Sequence, residues 1–266
     1  MKRELNPKKE RVAVVAGGAG FLGSFVAKSL LKSSYRVIVL DKNQTVQETD
    51  YLENYTFLET DLLSQNSVDR SASELIDKLG TSPNLLVCTA GVTDLHKHFL
   101  DISLKEWKEQ IKANLDSYFL VTQSIARKMV DYEKPGHILL FGSIGSIRAH
   151  REQVPYDTAK GGVESLCRAL ALDLDPYNIR VNTLGIGPVK NSGSTLKDGR
   201  RLKELRRLVP LNSYAKPKDI GEIVVELDKK CFCMLTGQMI VIDGGLSIQL
   251  RPLGTERIEN PKRFKL

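Results

Sequence analysis

The chain has 266 residues, is 41% hydrophobic and carries a formal charge of +7 at pH 7. That length suits one large domain with a full core, or at most two small ones, and no polar or proline-rich run divides it. No stretch is long enough to span a bilayer, and of the four cysteines (Cys88, Cys167, Cys231, Cys233) the CxC pair Cys231 and Cys233 has no nearby histidine, so no metal site and reduced, packed thiols are expected.

In chain order, "MKRELNPKKERVAVVAGGAGFLG" superficially has the basic and apolar parts of a secretory signal, but its apolar part reads better as a first strand and turn. Gly17, Gly20 and Gly23 follow that strand with GxxGxxG spacing and lead into an amphipathic helix. Glycines there permit a tight turn, close approach of backbone to a pyrophosphate and close packing of helix on strand. The N–H groups at the helix start, with Phe21 and Leu22, complete a candidate phosphate cradle. The next strand, "YRVIVLD", ends in Asp41, whose carboxylate suits a ribose 2′-OH and repels a 2′-phosphate, favouring NAD over NADP. Lys42 beside it softens that preference.

Strands are predicted near 11 to 16, 35 to 41, 55 to 60, 84 to 90, 136 to 142, 179 to 184 and 238 to 243, alternating with helical patterns. The alternation predicts an α/β fold of Rossmann type: a doubly wound, mostly parallel seven-stranded sheet with helices on both faces. A (β/α)8 barrel also alternates, but it does not need an early glycine turn followed by a strand ending in an aspartate.

The catalytic half centres on Tyr156 and Lys160, four positions apart, with Ser143 thirteen residues upstream. A phenol has a pKa of about 10, so it needs help to exchange protons near neutrality. A cation one helical turn away favours the phenolate, and the pair then works as general acid or base opposite a hydride transfer. Ser143 is placed to hydrogen-bond the same substrate oxygen. YxxxK alone is weak: Tyr214 and Lys218 repeat the spacing, but there Pro217 intervenes and position 201 is Arg201 rather than serine.

With these residues the chain resembles the short-chain dehydrogenase/reductase family, from about Arg11 to Ser247, in its compact branch but with the GxxGxxG spacing of the extended one. The resemblance implies a catalytic tetrad of Asn114, Ser143, Tyr156 and Lys160, with the asparagine backbone holding a water that links the lysine to solvent. It also implies that Asp61 and Leu62 contact the adenine, that Ala90 and Gly91 line the cofactor, and that Gly187, Pro188 and Val189 lie beside the nicotinamide. Tyr156 and Lys160 touch the cofactor as well. A flap over the substrate is implied at about 188–215 and a tail at about 250–266, all within one dinucleotide-binding and catalytic domain, 1–266. Assembly as a homotetramer, with a homodimer as runner-up, is implied through helices over roughly 103 to 132 and 156 to 176. The chain departs from the family at Ala16, where a threonine hydroxyl usually braces the turn, at Cys88 and Thr89, which replace two asparagines, and at Ile186.

Basic residues gather at the N-terminal head, in "KDGRRLKELRRL" and in the tail, without interleaved aromatics in the central run, which argues against stacking on nucleic acid. By the resemblance, Arg148, His150 and Arg151 fall beside the substrate, and His96 and His98 near it. Cations there favour a polar or anionic small-molecule substrate, such as a sugar nucleotide or small hydroxy compound. The reaction expected is NAD(H)-dependent interconversion of a secondary alcohol and a ketone in a cytoplasmic enzyme that binds neither nucleic acid nor membrane. Reduction of a 3-oxoacyl carrier is the alternative, and a non-catalytic dinucleotide-binding sensor or scaffold is the alternative of another class.

Overall fold

The computed structural model describes residues 11–44, 53–190 and 199–250; the N-terminal basic head, the tail beyond residue 250 and part of the flap, 191–198, lie outside the described residues. Seven strands form one sheet: β1 (Arg11–Ala16), β2 (Tyr35–Asp41), β3 (Tyr55–Glu59), β4 (Leu85–Cys88), β5 (Gly136–Ser143), β6 (Ile179–Ile186) and β7 (Met239–Ile242). Their order is β3-β2-β1-β4-β5-β6-β7 and all six pairings are parallel, so "mostly parallel" becomes wholly parallel. The central strands are near-continuous apolar runs because helices cover both faces.

Alternate side chains of each strand feed two cores. Val12, Val14, Ile38, Leu86 and Ile138 pack with α2 (Gln65–Leu79), α4 (Ser117–Asp131) and α5 (Val154–Asp173). Ala13, Val15, Val37, Val87 and Leu139 pack with α1 (Phe21–Lys32) and α7 (Pro217–Leu227) on the other face. Two further helices, α3 (Leu104–Ile111) and α6 (Gly199–Leu208), complete the set. The first long helix expected between 103 and 132 is in fact interrupted: a π-turn over Lys112–Asp116 joins α3 to α4. Among the described residues no helix is long and apolar enough to cross a membrane.

The N-terminal edge of the sheet is tied by a buried polar cluster that no short sequence window contains. Asp228, which ends α7, accepts from Tyr35 Oη at 2.6 Å and from Arg11, and pairs with His137 Nδ1 at 3.3 Å. Asn182 in β6 reaches His137 Nε2 at 3.2 Å and donates to the Leu235 carbonyl. The cluster joins β1, β2, β5 and β6 to the end of α7. At the opposite, C-terminal edge the strand order reverses between β1 and β4, and the loops after those two strands open the crevice where α/β sheets bind ligands.

Candidate functional site

The glycine turn is shaped by what surrounds it. Gly17 has φ +78°, and a Cβ there would stand 2.8 Å from the Ala90 Cα. At Gly23 a Cβ would lie 2.2 Å from the Gly17 carbonyl oxygen and 2.8 Å from the Gly18 Cα. The turn is thus closed by backbone on backbone, and Gly23→Ala should cost roughly 1–3 kcal/mol of overpacking in the cradle. Equilibrium titration with NADH should read that substitution as an affinity loss of about tenfold or more.

The N-terminus of α1 that follows Gly20 has no side-chain cap and no acidic residue in its first turn. Its amides, with those of Phe21 and Leu22, therefore present a positive helix end with no acidic group of its own to answer it, which fits a pyrophosphate. Asp41 ends β2 beside this cradle: one carboxylate oxygen accepts from Ala19 N at 3.0 Å and the other from Lys42 N at 2.7 Å. Lys42 turns its ammonium to Asp61 at 3.2 Å, and together with the Leu63 amide it holds that carboxyl below its usual range. Leu62 is buried, and Ala90 and Gly91 follow β4 against the turn. These positions fit an extended dinucleotide: phosphates at α1, a ribose at Asp41, an adenine edge at Asp61.

Ser143 is the last residue of β5, where its hydroxyl accepts from Gly145 N at 3.0 Å. Tyr156 sits in the first turn of α5, after Pro155 pre-sets the helix start. Burial pushes the Tyr156 phenol above its usual value, while a hydrogen bond from Ser143 pulls the other way. Lys160 Nζ stands 5.9 Å from the Tyr156 ring centroid, so the expected juxtaposition is present. Its polar partners, however, are Tyr118 Oη at 3.1 Å and the Phe141 carbonyl at 2.9 Å. Burial pushes this lysine down to about 7. In the protein by itself desolvation dominates both groups, and Lys160 is not among the influences that lower Tyr156.

Asn114 lies fully buried in the π-turn. Its Oδ1 accepts from Val92 N at 3.1 Å and its Nδ2 donates to the Val92 and Gln110 carbonyls. A Cβ on Gly91 would stand 2.7 Å from Asn114 Oδ1 and 3.5 Å from Lys160 Nζ, which brings those three residues together. Tyr118 is the member that sequence reasoning missed. It donates to Ala90 O at 2.7 Å and Phe141 O at 2.9 Å and stacks under the Lys160 ammonium. In "NLDSYFLV" it reads as one more core aromatic, and only the contact with Lys160 distinguishes it.

Gly187 donates to Ile242 O at 2.9 Å and leaves no room for a Cβ against Asp243; Pro188 O accepts from Ala215 N, and Val189 bridges to Ala215. That pairing closes the base of the flap. The candidate substrate residues are less gathered. Arg148 donates to Gln249 O at 2.9 Å, tying the loop after Ser143 to the segment that follows β7. His96 meets Gln153 Nε2, and His98 caps the turn at Phe99–Asp101, so neither points to a shared centre with Ser143. Arg151 is exposed. His150 is held by Asp157 at 2.8 Å and raised by that hydrogen bond. The repeated pattern at Tyr214 is not helical at its start, because Pro217 opens α7 rather than breaking it. Cys88 and Cys167 are packed, whereas Cys231 and Cys233 are exposed free thiols, correcting the expectation of four packed ones.

Comparison with known proteins matches residues 17–247 to the family described as Enoyl-(Acyl carrier protein) reductase. The chain is 28% identical over 243 residues to the 3-oxoacyl-[acyl-carrier-protein] reductase FabG of Aquifex aeolicus, covering 89% of this chain and 97% of that protein. It is 26% identical to an NAD-dependent glycerol dehydrogenase of Listeria innocua, covering 90% and 95%. A short chain dehydrogenase from Bacillus anthracis superposes with a TM-score of 0.84 at 22% identity, over 92% of this chain and 99% of that one.

Proposed function

The chain belongs to the short-chain dehydrogenase/reductase family of oxidoreductases, and from that premise we propose that it interconverts a secondary alcohol and a ketone with NAD(H), acting on a polar or anionic small molecule such as a sugar nucleotide or small hydroxy compound. The observation that carries this reading is the convergence of Ser143, Tyr156 and Lys160, with Tyr156 hydrogen-bonded to Ser143 and Lys160 Nζ 5.9 Å from the Tyr156 ring.

When bound, the nicotinamide supplies or accepts the hydride. The chain's own residues handle the proton and the geometry. Tyr156 delivers a proton to the substrate oxygen in reduction and removes one in oxidation, while Ser143 steadies that oxygen as charge develops on it. Lys160 holds the nicotinamide ribose and, with Asn114 on the other side of Gly91, completes the proton relay to solvent. Gly17, Gly20, Phe21, Leu22 and Gly23 hold the phosphates, Asp41 the adenosine ribose, Asp61 and Leu62 the adenine edge, and Ala90, Gly91, Gly187, Pro188 and Val189 the nicotinamide half.

NAD is favoured because Asp41 faces the turn with a carboxylate and the neighbouring cation, Lys42, is engaged by Asp61. The likeness to a carrier-acyl reductase supports the second reading, reduction of a 3-oxoacyl carrier. Parallel fluorescence titrations with NADH and NADPH separate the two. NADH is expected to bind more tightly by about tenfold, one hydrogen-bonded ribose against one repelled phosphate. Tighter NADPH binding would overturn the NAD assignment and bring the carrier reading forward. Half-exposed Phe119 on α4 and the more open Leu172 on α5 support assembly through those helices, as a homotetramer or a homodimer. Four unpaired thiols suit the reducing cytoplasm.

A further inference from the structure

We infer that the Thr89 hydroxyl is the lock that keeps the Gly17–Gly18 peptide turned for pyrophosphate binding, which makes Thr89 a positioning residue for the cofactor. The inference rests on the dinucleotide reading above. Thr89 follows β4, yet its Oγ1 donates across to β1 and the turn, to Ala16 O at 2.9 Å and Gly17 O at 3.0 Å. Its one proton is shared between the two carbonyls.

The peptide between Gly17 and Gly18 is flanked by no Cβ on either side, so little side-chain steric cost opposes its rotation. Rotated by half a turn, it would aim the Gly17 carbonyl outward and withdraw the Gly18 amide, replacing a donor by an acceptor where an anion must sit. Two interactions resist that rotation: the Gly20 amide, at 3.0 Å from Gly17 O, and the Thr89 hydroxyl. The first belongs to the turn itself and moves with it. The second is anchored on a different strand, and its own amide is fixed to Ala16 O at 2.8 Å. Thr89 Oγ1 also lies 2.7 Å from where a Cβ on Gly23 would be, so it is wedged between the turn and the start of α1. Ala16 offers no hydroxyl from β1; the brace comes instead from the residue that follows the neighbouring strand β4.

Thr89→Val tests this because valine removes the donor while keeping a β-branched side chain of nearly the same size. Neither carbonyl is orphaned: Ala16 O keeps the residue-89 amide and Gly17 O keeps the Gly20 amide, so the fold should persist. NADH titrations and thermal melts of full-length wild type, Thr89→Val and Thr89→Ser make the experiment. Thr89→Val should weaken NADH by about tenfold, the worth of one hydrogen bond in a closed site. Thr89→Ser should bind within about twofold of wild type, and the melting temperatures should differ little. A valine variant that binds as wild type overturns the inference, and so does a serine variant as weak as the valine one, which would assign the effect to the methyl. A fall in melting temperature that tracks the affinity loss in both variants also overturns it. If wild type itself binds neither NADH nor NADPH, the dinucleotide reading fails first.

Discussion

Tyr156→Phe is expected to abolish turnover, by at least about 10²–10⁴-fold, while NADH binding stays close to wild type. The substitution removes one oxygen and leaves the ring that packs at the start of α5. Ser143 carries only an aliphatic hydroxyl, and Lys160 is engaged by Tyr118 and Phe141, so neither replaces the lost group. The pH dependence follows from the same residue. Burial raises the Tyr156 phenol, so the proton is held at neutral pH, ready for donation in reduction. Oxidation needs the phenolate, so oxidative kcat/KM should climb as pH rises toward the phenol pKa, and reductive kcat/KM should fall over the same range. Steady-state rates in both directions across pH 6 to 10, a span of about four decades in proton activity leading up to the phenol reference value of about 10, check this. Undiminished turnover in the phenylalanine variant would remove Tyr156 from the mechanism.

The second large effect is on stability and lies at the other end of the sheet. Asp228→Ala should destabilise the protein by about 3 kcal/mol, since it leaves Tyr35 and His137 with unpaired buried groups. For a domain of this size that corresponds to a fall in Tm of roughly 6–12 °C, readable by circular dichroism. Both partners of the buried pair respond to acid. Desolvation lowers His137, so its contribution is complete above the unfolded imidazole value of about 6.5 and is lost as pH falls through its depressed folded value. Asp228 is also held below the usual carboxylate value by His137, Tyr35 and Arg11 despite its burial, so its contribution is present above about 3.9 and lost at still lower pH. Wild type should therefore melt progressively lower as pH drops from neutrality, and the alanine variant should lose the lower part of that dependence. An unchanged Tm for Asp228→Ala would show that the cluster contributes nothing net.

The strands were legible because buried parallel strands are written as short apolar runs between glycine and polar punctuation, as in "RVAVVAGG" and "HILLFGS". Ser143, Tyr156 and Lys160 were legible for a related reason: one strand end and one helical turn fix their mutual placement. The π-turn was not, since "EQIKANLDSYFL" has continuous helical periodicity and the inserted residue leaves no mark in it. Nor was the environment of Lys160, whose partners come from α4 and β5 and whose charge is set by burial. Arg148 reads in the sequence as a cation in the substrate loop, and its contact with Gln249, 101 positions away, leaves no mark there. The Asp228 cluster joins residues up to 217 positions apart, and no periodicity encodes such a pairing.

The strand order carries a consequence for how the chain is made. Among the described strands β1 is the first to emerge, yet it ends as an interior strand whose second neighbour, β4, begins at Leu85. Until that point β1 exposes one unpaired edge, and the glycine turn lacks both the Thr89 hydroxyl and the Ala90 backbone that enclose it. A nascent chain halted before β4 would thus present a half-built, adhesive sheet, and with every pairing non-local the full sheet must form slowly. The crevice is complete only once β4 has paired with β1.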